Sequence, residues 1–373
     1  MSWAARFLAR PERKALGHGR SWALSQPTGS EPPSSYEGQV RAAWRNPVAL
    51  RAVRIVAEGL SSVSLLANGS THEAQRLLSP ALLEALATHL LMHGNAFLET
   101  GLDLGGLPAE LWALRPERMR LETDANGWPL TWVYQVGGRI QRHAAQGDRQ
   151  APGLLHLKAF DPLDDHLGAG CVEAASEGIA LLQAAGRWNR SLVANAARPS
   201  GALVLDPEDG PLSPEQFGRL RDEIEAGFQG SQNAGRPMLL EGGLKWQPLA
   251  LTPAEMDFQR AREAAAREVA LAFGVPPMLL GLPGDSTHAN YAEANIALWR
   301  ITILPLLNRI LDGVSRHLSL WWPGLRLEPD LDLVPALWAD RERLWRHVGD
   351  ATFLSDDEKR EMLGWAPRSK GGA

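Results

Sequence analysis

Two consecutive prolines, Pro276 and Pro277, stand between two long amphipathic patterns and bar them from joining into one helix, because proline has no backbone N–H to donate and its ring clashes with the preceding turn. Before them, Phe258, Ala261, Ala265, Val269 and Ala272 recur at intervals of three and four, the spacing of one helical face. Thr252, Pro253 and Glu255 open that helix with a reciprocal cap and a proline in the first turn. Gly274 closes it, since the residue after a last turn commonly takes a left-handed backbone that suits glycine. From Glu293 a second stripe follows, made of Ile296, Trp299, Ile303, Leu307, Ile310, Val314 and Leu318. Pro305 falls inside it, so a kink or break is expected near residues 301–304. Between the helices lies the polar loop GLPGDSTHANYA, residues 281–292. No catalytic motif requires two helices welded to a rigid corner in this way.

The rest of the chain divides by punctuation. Residues 1–38 include SQPTGSEPPSS, too polar and proline-rich to pack, and read as a flexible arm. Residues 39–94 carry helical patterns, first Val40, Ala43, Trp44, Val48, Val53, Ile55, Val56 and Leu60, then Leu82, Leu83, Leu86, Leu90 and Leu91 after Ser79 and Pro80. Short segments at 96–100, 110–114, 119–122, 131–136 and 154–158, separated by Gly, Pro and an Asp-Ala-Asn-Gly turn, predict antiparallel strands in a small sheet or barrel. A helix is expected over 173–197, then a strand at 202–205, a helix from Ser213 to about Phe228, and strands at 238–241 and 245–249. Beyond Pro323, Leu337, Trp338, Leu344, Trp345 and Val348 mark another helix, and Ser355 to Glu358 a capped one. The fold class is α+β.

Composition excludes several functions. A chain of 373 residues can hold two or three modules, and no apolar run approaches the roughly 18–20 residues of a membrane span. MSWAARFLARPERKA has no apolar leader core, so the protein is expected to stay in the cytoplasm where it is made. The single cysteine, Cys171, excludes an internal disulfide and a thiolate zinc cluster, and reads as a small packed residue. A net charge of −5 argues against a broad basic face gripping DNA. Fourteen tryptophans could anchor subunit contacts, although core positions are the simpler expectation. His89 and His93 stand four apart but lack a third ligand at motif spacing, so no metal is expected, and His93 before Gly94 reads as a helix-end group. Gly168-Ala169-Gly170 and residues 101–106 lack the spacing of a nucleotide loop. Asp285, Ser286, Thr287 and His288 are the residue types of a hydrolytic triad, but neighbours on one loop cannot form its relay. Neither catalytic residues nor cofactors are expected.

Several segments recur in a telling order: Asn46-Pro47-Val48, HGNAFLE at 93–99, LRPERM at 114–119, NAARPSGALVLD at 195–206, LLEGGLKWQPLAL at 239–251, VALAFGVPPMLLG at 269–281, TILP at 302–305 and FLSDDEKREMLGW at 353–365. The ordered set resembles the portal proteins of tailed bacteriophages, in the Hong Kong-type branch of long-tailed phages that includes prophage-derived and gene-transfer-particle portals. The resemblance implies a portal fold in which 1–38 is a flexible arm, 39–172 the wing, 173–198 a stem helix, 199–251 a small α/β clip and 252–274 the second stem helix. Residues 275–292 would then be the Pro-Pro corner and tunnel loop, 293–322 the tunnel helix and 323–373 a short helical crown. It further implies a twelvefold ring at one capsid vertex, through which double-stranded DNA passes without sequence recognition during packaging and ejection. Its partners would be other copies of itself, the major capsid protein, the terminase packaging motor and a head–tail adaptor, with assembly in the cytoplasm, residence in a phage-like particle and no membrane. Asp285, Ser286, Thr287, His288 and Asn290 would face DNA, Gly274, Pro276 and Pro277 would form the corner, and Pro305 the kink. The residues alone leave room for a metal-dependent nucleic-acid hydrolase, separable by its response to chelator, and for a monomeric cytosolic adaptor, separable by size.

Overall fold

The computed structural model describes residues 36–68, 72–145, 153–194, 201–205, 244–248, 258–282 and 288–365, together with positions 213, 215, 218 and 219. They form two compact units, one built from the chain up to Ser176 and again from Val269 onward, the other from Glu177–Glu268.

The first unit opens with helices α1 (Tyr36–Arg45) and α2 (Pro47–Ser61). The bend between them is local in origin: the Asn46 side chain accepts the N–H of Val48 at 3.0 Å and of Ala49 at 3.1 Å, and Pro47 occupies the first turn, where its missing N–H has no intrahelical partner to lose. Strand β1 (Leu65–Ala67) and α3 (His72–Arg76) precede α4 (Pro80–His93), which is capped by Ser79. α2 packs on α4 through a face that buries Ala49, Ala52, Val53, Val56, Ala57 and Leu60. Of the arm anticipated over 1–38, residues 1–35 lie outside the described residues and 36–38 are helical, as no Pro or Gly other than Gly38 interrupts the stretch up to Arg45.

Strands β2 (Asn95–Leu102), β3 (Pro108–Leu114), β4 (Met119–Thr123), β5 (Pro129–Val136), β6 (Arg139–Ala144) and β7 (Leu154–Lys158) follow. They make two antiparallel three-stranded sheets, β3-β2-β7 and β4-β5-β6, rather than one sheet or barrel. Phe97, Leu114, Met119 and Trp132 form a shared apolar cluster. The His156 ring stacks on Phe97 with centroids 4.5 Å apart, and Trp132 meets both rings nearly edge-on at 4.8 Å, a favourable aromatic geometry. Sequence reading passed over β6, since RIQRHA is an exposed edge strand with little apolar alternation.

Helix α5 (Cys171–Ala194) starts in the first unit and continues into the second, where β8 (Gly201–Leu205) pairs antiparallel with β9 (Leu244–Pro248). α6 (Phe258–Ala272) returns the chain to the first unit. The expected strand at 238–241, the cap at 252–255 and, but for isolated positions, the helix from Ser213 lie outside the described residues.

The remaining elements are α7 (His288–Leu298), a π-helical turn (Trp299–Ile303), α8 (Leu304–Leu318), β10 (Leu327–Pro329), α9 (Trp338–Asp350) and α10 (Asp356–Met362). α8 is the central core helix, burying Leu307, Ile310, Leu311, Val314 and Leu318. It passes β7 so closely at Gly313 that a Cβ there would lie 2.2 Å from Leu157 Cδ2. β10 pairs with β1 across more than half the chain, Leu65 opposite Pro329 and Ala67 opposite Leu327. Among the described residues no helix is long and apolar enough to cross a membrane.

Candidate functional site

The corner is built by two glycine-ended turns in succession. At the end of α6, Gly274 takes φ +66°, its N–H donates to Leu271 O at 2.9 Å, and Val275 N–H donates to Ala270 O at 2.9 Å. This is the complete Schellman pattern, with Val275 and Ala270 both buried beneath it. Pro276 is extended at ψ 127°, Pro277 starts a single 3-10 turn (Pro277–Leu280), and Gly281 closes that turn at φ +72°. The direction in which the chain leaves toward residue 282 is thus set by two fixed proline φ angles and two left-handed glycines.

Asp285, Ser286 and Thr287 lie outside the described residues. His288 and Asn290 do not belong to a loop: they stand in the first turn of α7, which begins five residues before the anticipated Glu293. Residues 288–292, His-Ala-Asn-Tyr-Ala, contain neither Gly nor Pro, and first-turn polar groups are tolerated because the leading N–H groups have no intrahelical partner. Asn290 is exposed.

Pro305 sits just inside α8, directly after the π turn, in which Leu304 N–H donates to Trp299 O five residues back. Proline provides no N–H for the carbonyl of Ile301, so an α ladder cannot run through unbroken. Three neighbours hold the turn. Thr302 Oγ1 donates to Gly274 O at 2.7 Å, joining the turn to the corner. Ile303 is buried against α2 at Gly59, where a Cβ would lie 2.9 Å from Ile303 Cδ1. The Arg300 guanidinium pairs with the Asp340 carboxylate on α9, which also accepts from Arg343. Sequence reasoning missed these partners; its one available signal was Gly59, a glycine in the last turn of α2, where helix propensity alone would favour alanine.

A second constellation explains the HGN of residues 93–95. Gly94 has φ +67°, and a Cβ there would lie 2.3 Å from Ala169 C, while one on Gly168 would lie 2.2 Å from Gly94 O and one on Gly170 2.4 Å from Met92 O. The Gly-Ala-Gly run is therefore a backbone crossing, which only residues without a side chain permit. Asn95, buried, ties it down: its Nδ2 donates to His93 O at 2.8 Å and Gly168 O at 2.9 Å, and its Oδ1 accepts from Gly168 N–H at 2.8 Å and contacts His156 Nε2 at 2.9 Å.

His93 is the last residue of α4, at the helix end read for it, and it is buried. Its Nδ1 meets the Tyr36 hydroxyl, and its Nε2 lies 3.5 Å from Glu117 Oε1. Burial lowers the pKa of His93 to about 4. His89 is also lowered to about 4, by burial first and by His93 next, and His156 to about 3, by burial and then Lys158. All three are neutral at pH 7. His89 Nδ1 and Glu117 Oε2 are buried without a hydrogen-bond partner, yet no group of three or more His, Cys, Asp or Glu suited to a metal occurs among the described residues. Cys171 starts α5, where burial pushes its thiol pKa up and away from the reactive thiolate.

At the C-terminal end, Asp332 gathers the final helices. Its Oδ1 accepts from Arg341 Nε at 2.5 Å and from Trp345 Nε1 at 3.4 Å, and its carbonyl from Trp338 Nε1 at 3.1 Å. The Arg341 hydrogen bond holds the Asp332 pKa below the usual carboxylate value. Ser355 and Glu358 form a reciprocal capping box on α10.

Compared with known proteins, residues 47–364 match the family model described as phage portal protein. A protein of Rickettsia felis is 42% identical over 289 residues, 76% of this chain and 73% of its own length. A chain from the virion of a native gene transfer agent particle is 44% identical, with TM-score 0.67 over 90% of this chain and 94% of that one. A chain from the neck of a native gene transfer agent particle, computed with C12 symmetry, is 42% identical, with TM-score 0.67 over 94% of this chain and 99% of that one.

Proposed function

The chain belongs to the phage portal protein family, and from this premise we propose that it is the portal subunit of a phage-like or gene-transfer particle, forming a twelvefold ring at the unique capsid vertex. One observation carries the reading: the likeness to a chain from a gene transfer agent neck computed with C12 symmetry extends over 94% of this chain at 42% identity. A ring joins each subunit to the next through two different, complementary patches, and the cores of such patches are enriched in aromatic side chains that a lone subunit leaves exposed. Trp112, Trp338 and Trp345 are each about half exposed or more in the single chain, in keeping with that need.

Within this reading, residues 39–172 are the wing, 173–198 and 252–274 the stem, 199–251 the clip, 293–322 the tunnel helix and 323–373 the crown. The segment around Asp285, Ser286 and Thr287, with His288 and Asn290 at the adjoining helix start, faces double-stranded DNA in the channel. It contains no Lys or Arg, so it offers brief polar contacts to the backbone without the multiple phosphate neutralisations that would trap the polymer. The clip receives the terminase motor and then the head–tail adaptor, and the wing meets the major capsid protein. The family is a structural one, and the chain works by shape, without chemistry of its own or a cofactor. Subunits assemble in the cytoplasm and end in the particle.

Native mass spectrometry with negative-stain imaging of one purified sample tests the ring. A closed ring near twelve copies with a central hole supports it, whereas a monomer or dimer that persists across concentration and salt overturns it. Deleting residues 285–287 tests the loop assignment: rings should stay intact while nuclease-protected DNA in particles falls. Lost rings with normal DNA content would reject the assignment.

A further inference from the structure

We infer that Arg300 and Asp340 form a clamp that holds the π turn between α7 and α8 and so fixes the rotational setting of α7. The inference concerns the helix pair itself and stands whether or not the ring reading holds. A π turn carries one residue more than the α ladder around it and survives only where neighbours hold it. Were the extra residue to migrate or anneal out, α7 would turn by about 100° and slide about 1.5 Å relative to α8, as 3.6 residues per turn and the rise per residue dictate. Every residue that α7 presents to its surroundings would change.

The three tethers on the turn differ in kind. Ile303 at Gly59 and Thr302 at Gly274 O bind it to the helix packing and to the corner. Arg300 alone reaches forward to α9, pairing with an Asp340 whose side chain is 21% exposed and already shared with Arg343. α7 also packs on the 3-10 turn Pro335–Leu337 that leads into α9. A displacement of α9 therefore acts on the turn at the residue where the helical register is decided. Arg300 and Asp340 are positioning residues, acting through the turn on α7.

Hydrogen exchange on the intact protein tests this, comparing the parent with Arg300→Gln, Asp340→Asn, the double variant and Arg343→Gln. A partly exposed ion pair has a modest effect, so each single loss should speed exchange across residues 288–303 by about 2- to 5-fold while residues 304–318 stay unchanged. The double variant should exchange no faster than the faster single one, because both remove the same interaction. Arg343→Gln leaves the Arg300 pair in place and should match the parent over 288–303. Parent-like exchange in both single variants overturns the clamp, as do effects that simply add, or acceleration spread equally over 304–318. All substitutions lie at side chains with solvent access, so folding itself is not at risk.

Discussion

Gly94 carries two constraints at once, a left-handed backbone at φ +67° and a backbone neighbour 2.3 Å from where a Cβ would stand. Gly94→Ala should therefore cost well over the roughly 1–2 kcal/mol of left-handed strain alone and lower the thermal unfolding midpoint by several degrees. Gly186, inside α5 with open space for 4 Å around the place a Cβ would take, is the contrasting case: Gly186→Ala should leave the midpoint equal or raised, by about 0.5–1 kcal/mol of helix propensity. The buried histidines set a pH dependence. His89 and His93 at about 4 and His156 at about 3 lie below the unfolded value of 6.5. The folded chain thus binds fewer protons than the unfolded chain below pH 6.5, and stability should fall as pH drops from about 6.5 toward 4. Urea titrations at pH 7.5, 6 and 5 check this, and an unchanged midpoint across that range would contradict the burial. The glycines were visible in the sequence as irregular punctuation, but that Gly168 and Gly170 face residues 92–94 was not, since nothing local links positions some seventy-five apart.

At the scale of elements, capped termini were readable, whereas the uncapped start of α7 and the junctions were not. Asn46-Pro47, Ser79-Pro80 and Ser355 to Glu358 each cap the helix expected of them, because the bonds involved span no more than three residues. The irregularity around Pro305 is a different matter: proline dictates that the ladder must break, but Thr302, Ile303 and Arg300 find their partners on three separate elements. Thr302→Val keeps the shape and removes the bond to Gly274 O; it should cost about 1 kcal/mol and raise exchange around residues 271–275. The C-terminal helices depend in the same way on Asp332. Its depressed pKa means that its contribution is full above about 4 and fades as pH falls further. Asp332→Asn should accordingly free α9, with faster proteolysis between residues 331 and 365 and little change in the two sheets.

For the whole molecule, the tryptophans are the most informative misjudgement. Trp132 alone is buried among those whose side chains are described, while Trp44, Trp112, Trp128, Trp338, Trp345 and Trp365 are 45% exposed or more. If ring formation covers them, tryptophan emission should move to shorter wavelength as subunits assemble, and emission that stays constant while rings form would place them on the outer surface. The ordered motifs, the capped helix starts at Pro47, Pro80 and Asp356, the Pro-Pro corner and the need for an irregularity near Pro305 were determined by the sequence itself, because caps, turns and proline sterics act within a few residues. Tertiary structure alone decided the pairing of β1 with β10, the division into two three-stranded sheets, the burial of His93, the crossing at Gly94 and the partners of the π turn. Each of these rests on groups far apart in the chain whose free energy exists only once the backbone has brought them together.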